Sequence, residues 1–185
     1  MGSQGVLTLF IIGRDDWQRD GPLHEVLIPL LSDPRFRIVW EDPAAQFLYR
    51  IHRIDWLNTR SKHLLTRAFQ LCYATFHPRY AWFIYTRRHL SIPGRAQFLQ
   101  RWLPRFCKPQ QTVILSRSAG GRLATLVADA MGVRGVVCLG YPFRHPECDD
   151  EPERYQHLPF VQTPCLILQG AWDVYGDEVT ALRYP

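Results

Sequence analysis

The chain has 185 residues, the span of one ordinary domain, and its 46% apolar and 13% aromatic content is enough for a packed core, which excludes wholesale disorder. Its net charge of +5 hides an asymmetry: residues 50–109 carry ten arginines and two lysines against the single acid Asp55, a local +11 that leaves −6 for the remainder. No apolar run approaches the ~20 residues of a membrane span, so a spanning helix is excluded and no membrane association is expected.

Val6 to Ile12 (VLTLFII) is a continuous apolar run closed by Gly13, as expected of a parallel-sheet strand covered on both faces. It has no basic flank and runs into Arg14-Asp15-Asp16, so it does not read as a signal peptide, and a cytoplasmic protein is expected. Pro22 to Leu31 sets Leu23, Val26, Leu27, Leu30 and Leu31 at helical spacing, with Pro29 as a kink. Ser32-Asp33-Pro34 breaks that helix, and Phe36 to Trp40 forms a second strand. Ser61 then caps a helix whose apolar stripe is Leu65, Ala68, Phe69, Cys72, Tyr73 and Phe76, stopped at His77-Pro78. Ala81 to Thr86 (AWFIYT) reads as a further strand, and 95–106 as a helix burying Phe98, Leu99, Trp102 and Phe106. The rest reads as a strand at Thr112–Leu115, a helix at Ala119–Met131, strands at Gly135–Leu139 and Cys165–Leu168, and a helix from Asp177. Strands alternating with helices predict a single α/β domain over 1–185, a three-layer, doubly wound, mostly parallel sheet of five or six strands.

The most informative stretch is 112–123, TVILSRSAGGRL: strand, abrupt turn, then helix, with Ser118 at the apex. The pattern is that of a nucleophile elbow, G-x-S-x-G, in which a strained apex residue needs small neighbours where strand and helix nearly touch. Gly120 meets that need fully, Ser116 less well than glycine, and Gly121 lets the helix sit close to the sheet. A hydroxyl there projects above the strand ends, over a helix N-terminus that favours developing negative charge. The Ala119 amide is placed to donate one oxyanion hydrogen bond, and the Arg14 amide, after the first strand, is the candidate for the second. A phosphate-binding or purely structural Ser-Gly turn is the alternative reading.

From Leu115 to Gly176 three blocks, SRSAGGRLATLVAD, GVRGVVCLGYPFRHP and HLPFVQTPCLILQGAWDVYG, resemble a branch of the α/β-hydrolase superfamily related to dienelactone hydrolases and to the hydrolase-like subunit of a eukaryotic histone-acetyltransferase complex. The resemblance implies an α/β-hydrolase-like fold, with Ser118 on the nucleophile and Asp173 on the triad acid that holds an imidazole in the right tautomer. The sequence departs from that pattern in two places. The superfamily order is Ser, Asp, His, and nothing from Val174 to Pro185 is histidine, so the usual C-terminal strand and its His loop are expected to be lacking. The glycine-rich loop after the first strand is replaced by Gly13-Arg14-Asp15-Asp16-Trp17.

Other histidines are weaker candidates for the base. His145 and His157 lie in blocks where relatives also carry histidine that is not the base. His24 opens a helix near the first-strand loop and either reaches the site or stands on the helix surface, while His52, His63, His77 and His89 read as surface groups of the basic middle. No phosphate loop or dinucleotide fingerprint is present, so no cofactor is expected. His145-Pro146-Glu147-Cys148 is a loop rather than a metal site, since the ligand types are consecutive and lack a distant partner pair. The five cysteines include no C-x-x-C pair, and Cys138 and Cys165, inside apolar strands, read as structural.

Two functions follow. One is hydrolysis of an ester, thioester or related acyl bond in a small-molecule substrate, through Ser118 and Asp173. The other is a non-catalytic, hydrolase-like protein that binds an anionic partner through the old pocket or the basic middle at residues 50–109, where Arg87-Arg88-His89 follows an aromatic run. Against the second, Trp82, Phe83, Phe98 and Trp102 sit at core-like spacing, and arginines commonly line solvated helix faces. Oligomeric state is open.

Overall fold

The structure, a computed structural model, describes residues 6–13, 29, 32–148 and 151–183. Arg14, His24 and the helix expected over 22–31, apart from residue 29, lie outside the described residues.

Among the described residues five strands, β1 (Leu7–Ile12), β2 (Phe36–Trp40), β3 (Thr112–Arg117), β4 (Gly135–Leu139) and β5 (Cys165–Leu168), form one sheet in the order β2-β1-β3-β4-β5, with every neighbouring pair parallel. The doubly wound α/β sheet expected from the sequence is the observed fold. The order reverses between β1 and β3, the switch point at which crossovers diverge and leave a crevice outside the carboxyl ends of the strands. Ile12 of β1 stands beside Ser116 of β3 in register, so the residue after Arg117 sits at that crevice.

The continuous apolar strands follow from burial on both faces. Phe10, Ile12, Ile114, Val136 and Cys138 point to one side, where Leu99 of α4 (Ile92–Trp102) and Leu123 and Val127 of α5 (Ala119–Met131) complete the main core. Ile11 and Leu115 point to the other, with Ile38, Trp40, Val137 and Leu139 packed against them. β5 is an outer strand: Cys165, expected to be structural, is exposed, whereas Cys138 on β4 is fully buried.

Between β2 and α4 the chain makes a helical excursion, α1 (Ala45–His52), α2 (Thr59–Phe76) and α3 (Pro78–His89), around a small core of Ala44, Leu48, Tyr80 and Phe83. The strand expected at AWFIYT is corrected here: those residues belong to α3. Five consecutive apolar residues and a threonine define no period, and the decisive context is Pro78 in the first helical turn and the three-residue spacing of buried Tyr80, Phe83 and Thr86, with Trp82 and Tyr85 outward. Helix α2 is capped by the Asn58 side chain, which accepts from the Ser61 amide at 2.8 Å, rather than by Ser61 itself. Only two of the six residues of its expected stripe face the core. Phe69 and Tyr73 pack inward, but Leu65 and Phe76 stay 45% and 80% exposed: among the described residues the main neighbours of α2 are α1 and α3. The helix expected over 95–106 runs instead from Ile92, capped by Ser91, to Trp102, and ends in a 3-10 turn at Leu103–Arg105.

Among the described residues no helix is long and apolar enough to cross a membrane.

Candidate functional site

Ser118 joins β3 to α5 with φ 50° and ψ −128°, and it is the one non-glycine residue with positive φ among the described residues. Such a conformation costs about 1–3 kcal/mol and persists where surroundings over-determine it. Here its amide donates to the Leu139 carbonyl at 3.2 Å, and its own carbonyl accepts from the Gly121 amide at 2.8 Å. The two glycines do what the spacing predicts. A Cβ at Gly120 would lie 2.9 Å from the Ile12 carbonyl oxygen, and one at Gly121 would lie 2.9 Å from Cδ2 of Tyr141. Ser116, standing where the motif has glycine, is fully buried and tolerated because its hydroxyl donates to the Val137 carbonyl at 3.2 Å. Ser118 and Ala119 are both half-buried, so the turn is reachable from solvent. The Ala119 amide opens α5 and has no intrahelical acceptor, at the positive end of the helix dipole.

Asp173 lies in the turn after β5. Its Oδ1 accepts from the Tyr175 amide at 2.9 Å and its Oδ2 from Gln169 Nε2 at 2.9 Å. Gln169 holds the loop together: its Nε2 also donates to the Gly176 carbonyl at 2.6 Å, and its Oε1 accepts from the Tyr141 amide at 2.7 Å. Gly140, just past β4, takes φ +68°, and a Cβ there would sit 3.4 Å from Asp173 Oδ2. Since the Ser118 amide bonds to Leu139, the residue before Gly140, the structure brings Ser118, Ala119 and Asp173 to the same end of the sheet, above β3 and its neighbour β4. Gln169, Tyr141 and Gly140 were not singled out from the sequence. Their signal was present, in the Q-G-x-x-D and L-G-Y strings that end β5 and β4, but only the paired strands show that the strings meet.

Among the described residues no histidine hydrogen-bonds to Ser118 or Asp173. His157 lies 2.8 Å through Nε2 from the Thr125 hydroxyl on α5. His145 is tied beside the Asp173 loop: its amide donates to Glu151 at 2.8 Å, its Nδ1 accepts from the Glu147 amide at 3.3 Å, and its ring meets Tyr175 edge-on at 5.7 Å. Burial pulls the His157 imidazole below its usual pKa of 6.5, and Arg122 adds to this. The unfolded chain therefore binds that proton more readily. The stability contributed by neutral His157 is present above pH ~6.5 and is lost as pH falls through the lower folded value. His157→Gln is expected to flatten the stability profile below pH ~6.5 in thermal melts, and an unchanged profile would assign the acid loss elsewhere. No group of three or more His, Cys, Asp or Glu side chains among the described residues is placed to hold a metal ion.

A family described as alpha/beta hydrolase domain matches residues 62–184. The chain belongs to this alpha/beta hydrolase family. No curated protein matches it, and no solved structure does. In this alpha/beta hydrolase domain the match begins within α2 and takes in α3, α4 and everything from β3 to the end of α6 (Glu178–Ala181), so the Ser118 turn and the Asp173 loop both lie inside it. The likeness noted from Leu115 to Gly176 thus extends upstream through the helical excursion, whereas β1 and β2 fall outside the matched span.

Proposed function

We propose that this chain is a serine hydrolase that cleaves an ester, thioester or related acyl bond of a small molecule. Ser118 Oγ attacks the acyl carbon, the leaving oxygen or sulfur departs with a proton, and water then releases the acid from the acyl-enzyme. Charge developing on the carbonyl oxygen is met by the Ala119 amide and by the Arg14 amide named from the sequence. Asp173 orients the imidazole that accepts the serine proton; each of its oxygens already accepts one hydrogen bond and retains a lone pair for the ring. The observation that carries this reading is the strained backbone at Ser118, held by the Leu139 carbonyl and by two glycines at van der Waals limits. The three sequence blocks support placing the chain in the branch related to dienelactone hydrolases and the histone-acetyltransferase subunit.

A fluorophosphonate probe tests it directly. Stoichiometric labelling at Ser118 is expected, and no labelling under conditions that label a control serine hydrolase would exclude a nucleophilic serine. Asp173→Asn keeps the shape but presents an amide where Gln169 and an imidazole need a carboxylate. Turnover of an activated ester is expected to fall by about 10⁴-fold, with a modest loss of thermal stability from the disturbed Gln169 contact. Retention of full rate would remove Asp173 from the mechanism.

A second reading, a hydrolase-like protein that binds an anionic partner, is favoured by one surface. Trp82 and Tyr85 stand half-exposed on α3 with their rings 5.7 Å apart edge-on, and Trp82 stacks on Phe98 at 6.3 Å, within the stretch of local charge +11. Salt-sensitive retention on heparin, abolished by Trp82→Ala and Tyr85→Ala together, is the result that supports it.

A further inference from the structure

We propose that the chain binds a small monocarboxylate, a carboxyl group on a short apolar body, in a cleft between α3, α4 and the end of β2. This goes beyond the hydrolase reading and holds whether or not Ser118 is acylated. The cleft encloses a cavity of about 40 Å³, room for roughly three water-sized groups. Its walls are aromatic, Phe83 from α3 and Phe98, Trp102 and Phe106 from α4 and the turn that follows, with Phe98, Trp102 and Phe106 half-buried at the rim.

Charge is what makes the cleft unusual. Glu41 follows β2 and pairs through Oε1 with Arg95 Nη2 at 2.5 Å, with both side chains more than four-fifths buried. Its second oxygen, Oε2, is buried and has no hydrogen-bond partner among the described residues. Arg79, also lining the cleft, donates through Nη2 to the Trp40 carbonyl at 3.3 Å and lays its guanidinium 4.0 Å over the Phe106 ring. It pairs with no carboxylate among the described residues, and burial draws its pKa below the usual guanidinium value. Among the described residues that line it, two guanidiniums and one carboxylate leave a surplus of one positive charge in a half-buried, aromatic-walled space. A partly desolvated guanidinium without a counter-ion gains most from a planar carboxylate that takes its N–H fork in two parallel hydrogen bonds. The cavity seats the carboxylate, whose three heavy atoms match that room, and the carbon body lies over the half-buried rim of Phe98, Trp102 and Phe106. Glu41 sets the upper limit on ligand charge: a phosphate dianion would add a second negative charge beside an already unsatisfied carboxylate oxygen.

Isothermal titration of the full chain with benzoate, its neutral isostere benzamide, and inorganic phosphate tests the assignment. Benzoate is expected to bind at one site, with benzamide and phosphate each at least tenfold weaker. Arg79→Met is expected to lose at least tenfold in benzoate affinity, and Arg79→Lys, which keeps the charge and most of the packing, to fall between it and the native chain. Glu41→Gln separates a ligand site from a structural ion cluster: removing the opposing charge is expected to tighten benzoate several-fold, whereas a merely structural Glu41 gives no gain. The proposal is overturned by the absence of saturable benzoate binding at millimolar concentration. It is equally overturned by phosphate or benzamide binding as tightly as benzoate, or by Arg79→Lys and Glu41→Gln both leaving the affinity unchanged.

Discussion

Ser118→Ala is expected to abolish fluorophosphonate labelling and to reduce acyl-bond hydrolysis on the order of 10⁴-fold or more, with the fold retained. The Ser118 hydroxyl makes none of the hydrogen bonds that hold the turn among the described residues. The backbone makes them, through the Leu139 carbonyl and the Gly121 amide, and alanine keeps both contacts. The backbone strain supplies a second, independent signature. At φ 50° a side chain is penalised by about 1–2 kcal/mol, so Ser118→Gly is expected to raise the melting temperature while also eliminating activity. Gain of stability on loss of activity is the mark of strain kept for chemistry. A Ser118→Gly chain that melts at or below the native temperature, with labelling lost, would show that the turn is relaxed and its serine incidental.

The largest stability effect is expected at Gly120. Its added Cβ would meet the Ile12 carbonyl oxygen at 2.9 Å, the Ile12 carbonyl carbon at 3.2 Å and Gly13 Cα at 3.3 Å, all of them backbone atoms in or just after a central strand. None can rotate away, so Gly120→Ala must push the first turn of α5 off β1, at a cost of about 1–3 kcal/mol. Each kcal/mol corresponds to about 2–4 °C in a chain of this size. Because that turn carries Ser118 and the Ala119 amide, the labelling rate is expected to fall with the melting temperature. Gly132→Ala, at the other end of the same helix, is the control. It has φ +62° but no atom within 4 Å of the added carbon, so it bears only the left-handed backbone cost of about 1–2 kcal/mol and leaves labelling untouched. Equal effects of the two substitutions on labelling would remove the close approach of helix and strand as the reason for Gly120.

The strands were legible because a buried parallel strand must be apolar on both faces, and the runs at Leu7–Ile12 and Gly135–Leu139 largely satisfy that without help from distant residues; Cys165–Leu168 reads the same way although, as an outer strand, it is mostly exposed. The turn at Ser118 was legible for a related reason. Its steric demands fall on residues one to three positions away, so Ser118, Gly120 and Gly121 record them locally. The segment Ala81–Thr86 was misread because its solvent-facing members, Trp82 and Tyr85, are as apolar as its buried ones, which erases the period that distinguishes helix from strand. The stripe of α2 was overread for the opposite cause: a helix that rests on neighbours along one narrow side leaves apolar residues such as Leu65 and Phe76 in solvent.

Contacts between remote parts of the chain were closed to any reading of the sequence. Glu41 meets Arg95 across 54 residues, Arg79 reaches the Trp40 carbonyl across 39, and Gln169 bonds to the Tyr141 amide across 28. Nothing local distinguishes these side chains from solvated ones, because what sets their chemistry is desolvation and a partner, and both arrive only when the sheet order and the packing of α3 and α4 bring them together. Strand identity and the bend at residue 118 are properties of short segments; the Glu41–Arg95 pair beside Arg79 in the cleft, and the seating of Asp173 over β4, belong to the folded arrangement.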